Sequence, residues 1–352
     1  MRAILFCVNP YAFGILKPLH DELLRQGHQT LWYIPTQLLT HFPFSVHITS
    51  SIEELCSYKS DAVFVPGNEV PHYLRGVKVQ VFHGLAGEKK GHFRIRNYFD
   101  LYLTQGPYFT ERFQQLKEKH KDFEVTETGW CKLDPLFQQQ DQFREERNKI
   151  LRDNKKSTLL LYAPTFSPSL SSANSAMCSI FSIADKEDVF LLLKFHDLMD
   201  TKLVNDYKEA ARLRSNVKVI EDRNILKTLV MADLMISDTS SVVYEFMLLN
   251  KPVITINSRS KNINWCDIAS PRDLQQTVVS EIAKDNFRAT RLETIRLYHP
   301  YSDGQSSSRM IAAVEDYISR HGVPNARKIN IYRKYLMNKR FGPNPPGDSS
   351  QS

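Results

Sequence analysis

Short apolar runs alternate with amphipathic stretches along most of this chain. Residues 3–8 are almost wholly apolar, 15–26 carry apolar residues at helical spacing up to Gly27, and 30–34 form an apolar run stopped by Pro35. Runs at 46–49, 62–65, 77–82 and 101–104 continue the series as predicted strands. A polar, charged stretch, 134–156, reads mostly as helix. The pattern then restarts, with strands predicted at 158–162, 189–195, 217–220, 234–236 and 253–256 and helices at 203–214, 225–232 and 241–249. Strands separated by helices predict parallel sheets covered by helices on both faces.

A chain of 352 residues exceeds the size at which one core usually divides. The restart therefore predicts two Rossmann-like α/β domains, at 1–150 and 151–300, followed by a helix at 301–325 and a basic segment with a disordered tail at 326–352. Ligands of open α/β sheets bind outside the carboxyl ends of the strands. The expected chemistry thus sits on loops after strands, in a central cleft faced by both domains.

Composition narrows the choice. Apolar residues make up 42% and charged residues 24%, as in ordinary globular proteins. No run approaches the roughly 18 apolar residues of a membrane-spanning helix, and no cleavage site follows the first apolar run, so a cytoplasmic location is expected. Cys7, Cys56, Cys131, Cys178 and Cys266 are scattered without CxxC spacing, which argues against disulfides or structural zinc and for buried thiols. The net charge of +7 suits a polyanionic ligand or an anionic membrane; without a recognisable binding motif, nucleic acid is the weakest partner.

Polar groups gather where the predicted strands end. His83-Gly84 follows the run ending at Phe82 and precedes Lys89 and Lys90; a histidine there can take a proton from a hydroxyl, or simply bond within its turn. Ala163-Pro164-Thr165 is a common strand exit whose threonine hydroxyl is within reach of a ligand. Lys194 and His196, alternate residues of an extended segment, should point to one face and meet a diphosphate. Asp238-Thr239-Ser240-Ser241 leads into a helix, where a cap and a phosphate site share one geometry. Asp303-Gly304 and Arg309 mark a further capped helix start. No Asp-X-Asp pair, Walker loop, GxGxxG or GxSxG is present, so metal-independent chemistry without a cofactor is expected.

In order and spacing, these motifs resemble the CDP-glycerol glycerophosphotransferases from His83 to Arg309. The resemblance rests on His83-Gly84 with its lysine loop, Thr128-Gly129-Trp130-Cys131-Lys132-Leu133-Asp134, Tyr162-Ala163-Pro164-Thr165, Lys194-Phe195-His196, Ala232-Asp233, Ile236-Ser237-Asp238-Thr239-Ser240-Ser241, Asn250-Lys251-Pro252, and Asp303-Gly304 with Arg309. It implies a GT-B-like fold, with His83 as general base and Gly84, Lys89 and Lys90 on the acceptor side. It also implies that His196 takes part in catalysis and that Lys194, Thr165, Asp238, Thr239, Ser240, Ser241 and Arg309 serve the donor phosphates. Ser167, Asp197 and Thr239 depart from that family's usual arginine, proline and tyrosine.

The implied reaction moves glycerol phosphate, or a related polyol phosphate, from a CDP-activated donor to a polymer or lipid-linked acceptor in teichoic-acid-like or capsule synthesis. Two rivals stand beside it: another GT-B enzyme, a glycosyltransferase or a UDP-sugar 2-epimerase, and a non-catalytic scaffold subunit of a polymer-synthesis complex. The stretch 326–340, basic and interleaved with Ile329, Ile331, Tyr332, Tyr335 and Leu336, is either a contact to the inner membrane face or a terminal helix packed on the first domain.

Overall fold

The computed structural model describes residues 1–85, 92–222, 225–260 and 263–345. Contacts divide the chain into two compact units: Met1–Asp134 with Tyr298–Ser352, and Pro135–Leu297.

Unit 1 is built on seven strands: β1 (Arg2–Phe6), β2 (Gln29–Tyr33), β3 (Ile48–Thr49), β4 (Ala62–Val65), β5 (Val77–Gln80), β6 (Leu101–Thr104) and β7 (Glu124–Glu127). They lie in the order β3-β2-β1-β4-β5-β6-β7, all parallel, with Ile4 of β1 opposite Leu31 on one side and Val63 on the other. Helices covering both faces explain why the inner strands read as uninterrupted apolar runs; β4 and β6 are buried at every position. β7, at the edge, is polar and half-buried, and gives no such signal.

Unit 2 repeats the plan with β8 (Thr158–Tyr162), β9 (Val189–Leu193), β10 (Val217–Val219), β11 (Leu234–Ser237), β12 (Val253–Ile256) and β13 (Cys266–Ile268). The order is β10-β9-β8-β11-β12-β13, again parallel throughout. β8, β9, β11 and β12 are buried at every position.

The units divide at Asp134, earlier than the expected boundary at 150. The helix Gln140–Asp153 joins unit 2 because Arg147 grips Asp233 through two hydrogen bonds, of 3.0 and 2.7 Å. The last segments are not separate from the first domain either. Asp134, buried, accepts hydrogen bonds from the backbone of Ser306 (2.8 Å) and Ser307 (2.7 Å) and from the Ser307 hydroxyl (2.6 Å), capping the helix Ser306–His321. His299 Nε2 accepts the Trp130 N–H at 3.0 Å. Gly106 lies so close to the returning chain that a Cβ there would sit 2.5 Å from the Tyr298 carbonyl oxygen.

Three smaller expectations also change. Only Cys7 and Cys131 are buried; Cys178 lies exposed on the helix Ala173–Lys186. The helix expected at 241–249 spans only Val242–Met247. Phe341, expected to open a disordered tail, ends the helix Ile331–Phe341 and packs against the unit 1 core. Among the described residues no helix is long and apolar enough to cross a membrane.

Candidate active site

Each sheet has one point where its connections turn in opposite directions: between β1 and β4 in unit 1, and between β8 and β11 in unit 2. Loops at such a point part from each other and leave a crevice at the carboxyl ends of the strands. His83 reaches the first of these places, Thr165 and Asp238–Ser241 lie at the second, and Lys194 and His196 follow β9, the neighbour of β8.

In unit 1, His83 reaches back from the exit of β5 to the exit of β4. Its Nδ1 stands 2.9 Å from the carbonyl oxygen of Pro66. A carbonyl only accepts, so Nδ1 carries the proton and the Nε2 lone pair is left to act as a base. The ring is exposed, 5.2 Å from that of Tyr11, which follows β1. The backbone before it is unusual: Phe82, a buried aromatic, has φ 60°, in the left-handed region.

Two buried amides hold this turn. Gln80 Nε2 donates to the same Pro66 oxygen at 3.2 Å, and Gln105 Nε2 donates to the carbonyl of Gly84 at 3.1 Å. Neither glutamine was singled out by sequence. Their sequence signal is only that each is a polar residue in or beside a largely apolar run.

His92 stacks on Phe82 with ring centroids 5.2 Å apart. Burial, with a smaller effect from His83, pushes its pKa down to about 4, so at neutral pH it places no positive charge beside His83. Lys89 and Lys90 lie outside the described residues.

In unit 2 the exits of β8 and β11 are bolted together by Asp238. Its carboxylate is fully buried and accepts from the Thr165 N–H (2.8 Å), the Ser172 N–H (2.8 Å) and the Ser172 hydroxyl (3.0 Å). Burial raises its pKa, with these hydrogen bonds opposing the rise. Asp238 therefore positions the loop rather than presenting a carboxylate to a ligand. Thr239 Oγ1 accepts from the Arg259 N–H at 2.9 Å, tying in the exit of β12. Thr165 and Ser240 are half-buried and Ser241 is exposed, with the Ser240 hydroxyl accepting from the Val242 N–H at 3.4 Å.

Lys194 and His196 do not share a face as expected. β9 ends at Leu193, so strand alternation does not extend to them. Lys194 is buried, its Nζ donating to the Phe195 carbonyl at 3.2 Å, whereas His196 is exposed beside the ring of Phe166 at 4.5 Å. Burial lowers the pKa of His196 and Lys194 adds to the fall, while Asp197 opposes it.

Arg309 belongs to unit 1, whereas the other residues expected at the donor lie in unit 2. It donates to the Thr128 carbonyl (2.8 Å), pairs with Asp303 (2.8 Å) and covers the ring of Tyr301, as a tie for the returning chain. Other acidic and basic motif residues are likewise structural. Asp233 receives Arg147 and the Leu159 N–H, and Lys251 donates to the Val230 and Ala232 carbonyls at the end of the helix Leu226–Met231.

Known proteins resemble this chain in sequence and in fold. A teichoic acid glycerol-phosphate primase of Bacillus subtilis is 27% identical over 62% of this chain and 58% of its own length. A ribitol-phosphate polymerase, TarL, of Staphylococcus aureus is also 27% identical, over 70% of this chain and 48% of its own. The chain thus spans about half the length of the curated relatives it matches. Among solved structures, the wall teichoic acid polymerase TagF, also determined after soaking with CDPG, superposes with a TM-score of 0.63 at 14% identity, covering 91% of this chain and 89% of that one. That likeness supports an α/β, GT-B-like fold. The profile of the CDP-glycerol:poly(glycerophosphate) glycerophosphotransferases matches residues 76–259, more than half of the sequence, and the chain belongs to that family of transferases.

Proposed function

We propose that the protein transfers glycerol phosphate, or a related polyol phosphate, from a CDP-activated donor to an acceptor hydroxyl in teichoic-acid-like or capsule polymer synthesis. Nε2 of His83 takes the proton of the acceptor hydroxyl. That oxygen attacks the β-phosphorus of the donor, the bond from this phosphorus to the bridging oxygen breaks, and CMP leaves with the bridging oxygen. The product is a phosphodiester.

The observation that carries the reading is the His83–Pro66 hydrogen bond, which selects the tautomer that a general base needs. Phosphoryl transfer otherwise requires positioning and neutralisation of oxygen charge. In this reading the loops at the β8–β11 switch point hold the donor through the Thr165, Ser240 and Ser241 hydroxyls, and the exposed His196 faces its diphosphate. No metal takes part.

Because His83 is exposed, its replacement should leave folding intact. His83→Ala is expected to lower turnover with CDP-glycerol by about 10²–10⁴-fold, the usual worth of a placed base. Activity of the wild type should be undiminished in EDTA. A His83→Ala protein with normal turnover would remove the base from the reading, and a strict demand for added metal would remove its metal-free electrostatics. A thermal-shift comparison of CDP-glycerol, CDP-ribitol, UDP-sugars and GDP-sugars tests the donor, since a ligand of the native state raises its stability by mass action.

A further inference from the structure

The loop after β12 is fixed along its backbone and free at one side chain. Asn257 turns the chain in the left-handed region, at φ 50°, and its N–H donates to the Ile268 carbonyl at 2.8 Å. The Ser258 N–H donates to Asp267 at 3.0 Å, the Arg259 N–H to the Thr239 hydroxyl at 2.9 Å, and the Ser260 N–H to the Ser258 hydroxyl at 3.3 Å. Each amide from Asn257 to Ser260 is thus committed. Below them the Thr255 hydroxyl accepts from Trp265 Nε1 at 2.8 Å and donates to Asp267 at 2.5 Å.

The Arg259 side chain is exposed, and among the described residues no carboxylate pairs with it. Asp267, on the neighbouring β13, is already engaged by the Ser258 N–H and the Thr255 hydroxyl. β11 and β12 are neighbours too, with Ser237 opposite Thr255. The Thr239–Arg259 tie therefore brings the β12 loop onto the segment that carries Ser240 and Ser241.

Permanent positive charge is otherwise scarce here. Among the described residues of the loops after β8, β9, β11 and β12, Lys194 and Arg259 are the only lysine and arginine. Lys194 is buried and donates to the Phe195 carbonyl at 3.2 Å. His196 is exposed, but its charge depends on pH, and burial lowers its pKa. The hydroxyls of Thr165, Ser240 and Ser241 are neutral. A guanidinium carries a permanent charge and a planar fork of N–H donors that fits two phosphate oxygens at once.

We propose that Arg259 binds the diphosphate of a nucleoside diphosphate ester, and that Thr239 is the positioning residue that holds Arg259 for it. The assignment rests on the reading of the unit 2 strand exits as the donor site. Arg259 supplies the fixed charge that phosphoryl transfer requires around its oxygens. The Thr239 hydroxyl acts through the Arg259 backbone.

The test is calorimetric titration of the full chain with CDP-glycerol, for the wild type, Arg259→Gln, Arg259→Lys, Thr239→Val and the double variant Thr239→Val/Arg259→Gln. Arg259 is exposed and Thr239 half-buried, so without ligand each protein should melt close to the wild type. Arg259→Gln is expected to bind about 10–100-fold more weakly, the worth of a hydrogen bond to a charged group. Its affinity should also fall less steeply with added salt. Arg259→Lys should restore the salt dependence and only part of the affinity, because the fork is lost. Thr239→Val should cost about 2–10-fold alone and nothing further once Arg259 is glutamine. Wild-type affinity in Arg259→Gln, or a loss without change in the salt dependence, would overturn the diphosphate contact. Additive losses in the double variant would remove the positioning role of Thr239. Should a UDP-sugar bind in place of CDP-glycerol, the CDP-donor reading fails, and the same losses measured with that ligand would still support Arg259. Binding does not depend on proton transfer, so failure of His83 as a base leaves these results unchanged.

Discussion

Asp238→Ala separates a residue that holds the donor loop from one that touches the donor. The wild-type carboxylate, fully buried, satisfies the backbone N–H groups of Thr165 and Ser172 and the Ser172 hydroxyl. After truncation the Ser172 hydroxyl retains the Tyr162 hydroxyl at 2.9 Å, but the two N–H groups lose their acceptor. A buried unsatisfied donor costs about 1–3 kcal/mol, and the Thr165 group, half-buried, stands at the lower end of that range. Against this, removing the carboxylate relieves the burial that raises its pKa. The net expectation is a loss of about 2–4 kcal/mol, seen as a drop of roughly 5–15 °C in the melting of unit 2. Asp238→Asn keeps one acceptor and should fall between. Urea unfolding read alongside CDP-glycerol affinity checks both effects, because a loosened Thr165 loop should also bind more weakly. An Asp238→Ala protein with the wild-type urea midpoint and a large loss of affinity would refute the reasoning and make Asp238 a ligand contact.

Arg327→Ala should destabilise unit 1 by about 3–5 kcal/mol, because it leaves Asp100 buried without its partner; urea denaturation measures it. The wild type should lose stability as pH falls from about 6.5 towards 4, because burial holds His299 and His92 neutral with pKa values of about 4 while their unfolded forms take up protons near 6.5. For His299 alone the loss approaches about 3 kcal/mol below pH 4; His299→Gln, which retains an acceptor for the Trp130 N–H but does not titrate, should flatten that limb of the stability curve by the same amount.

The two parallel sheets were legible because their inner strands are buried on both faces, which short apolar runs such as 158–162 and 62–65 satisfy. The polar edge strand β7 was not, nor was the helix Ala173–Lys186, whose buried side includes the small side chains Ala173, Ala176 and Ala184. Of the return of the chain to unit 1, only the packing of the terminal helix on the first domain stood among the alternatives read from sequence. The return depends on pairs far apart in sequence, Asp134 with Ser306 and Ser307, Trp130 with His299, and Asp100 with Arg327. At the candidate site, sequence located the strand exits but not the orientation of their side chains. An aspartate that accepts backbone N–H groups and one that faces a ligand look alike in sequence, which is why Asp238 was grouped with the donor contacts. The same ambiguity hid Gln80 and Gln105, whose amides act only on carbonyls brought close by the fold.

The motif acids are placed so that most of their charge does not oppose a phosphorylated donor. Asp134, Asp233 and Asp238 are spent on backbone N–H groups, hydroxyls or a guanidinium, so their charge is compensated. Toward solvent at the unit 2 exits stand the Ser241 hydroxyl, the His196 imidazole and the Arg259 side chain, with the Lys194 ammonium buried. Asp197 is the exception. It is exposed beside His196, and its charge favours the protonated imidazole against the downward push of burial and Lys194. An acid at that place opposes a diphosphate directly while making His196 a better cation for it. The two effects have opposite signs, and only the second operates through a ring that must be protonated. Donor affinity that rises as pH falls through the His196 titration would mark the second as dominant, and Asp197→Asn would then weaken binding instead of strengthening it.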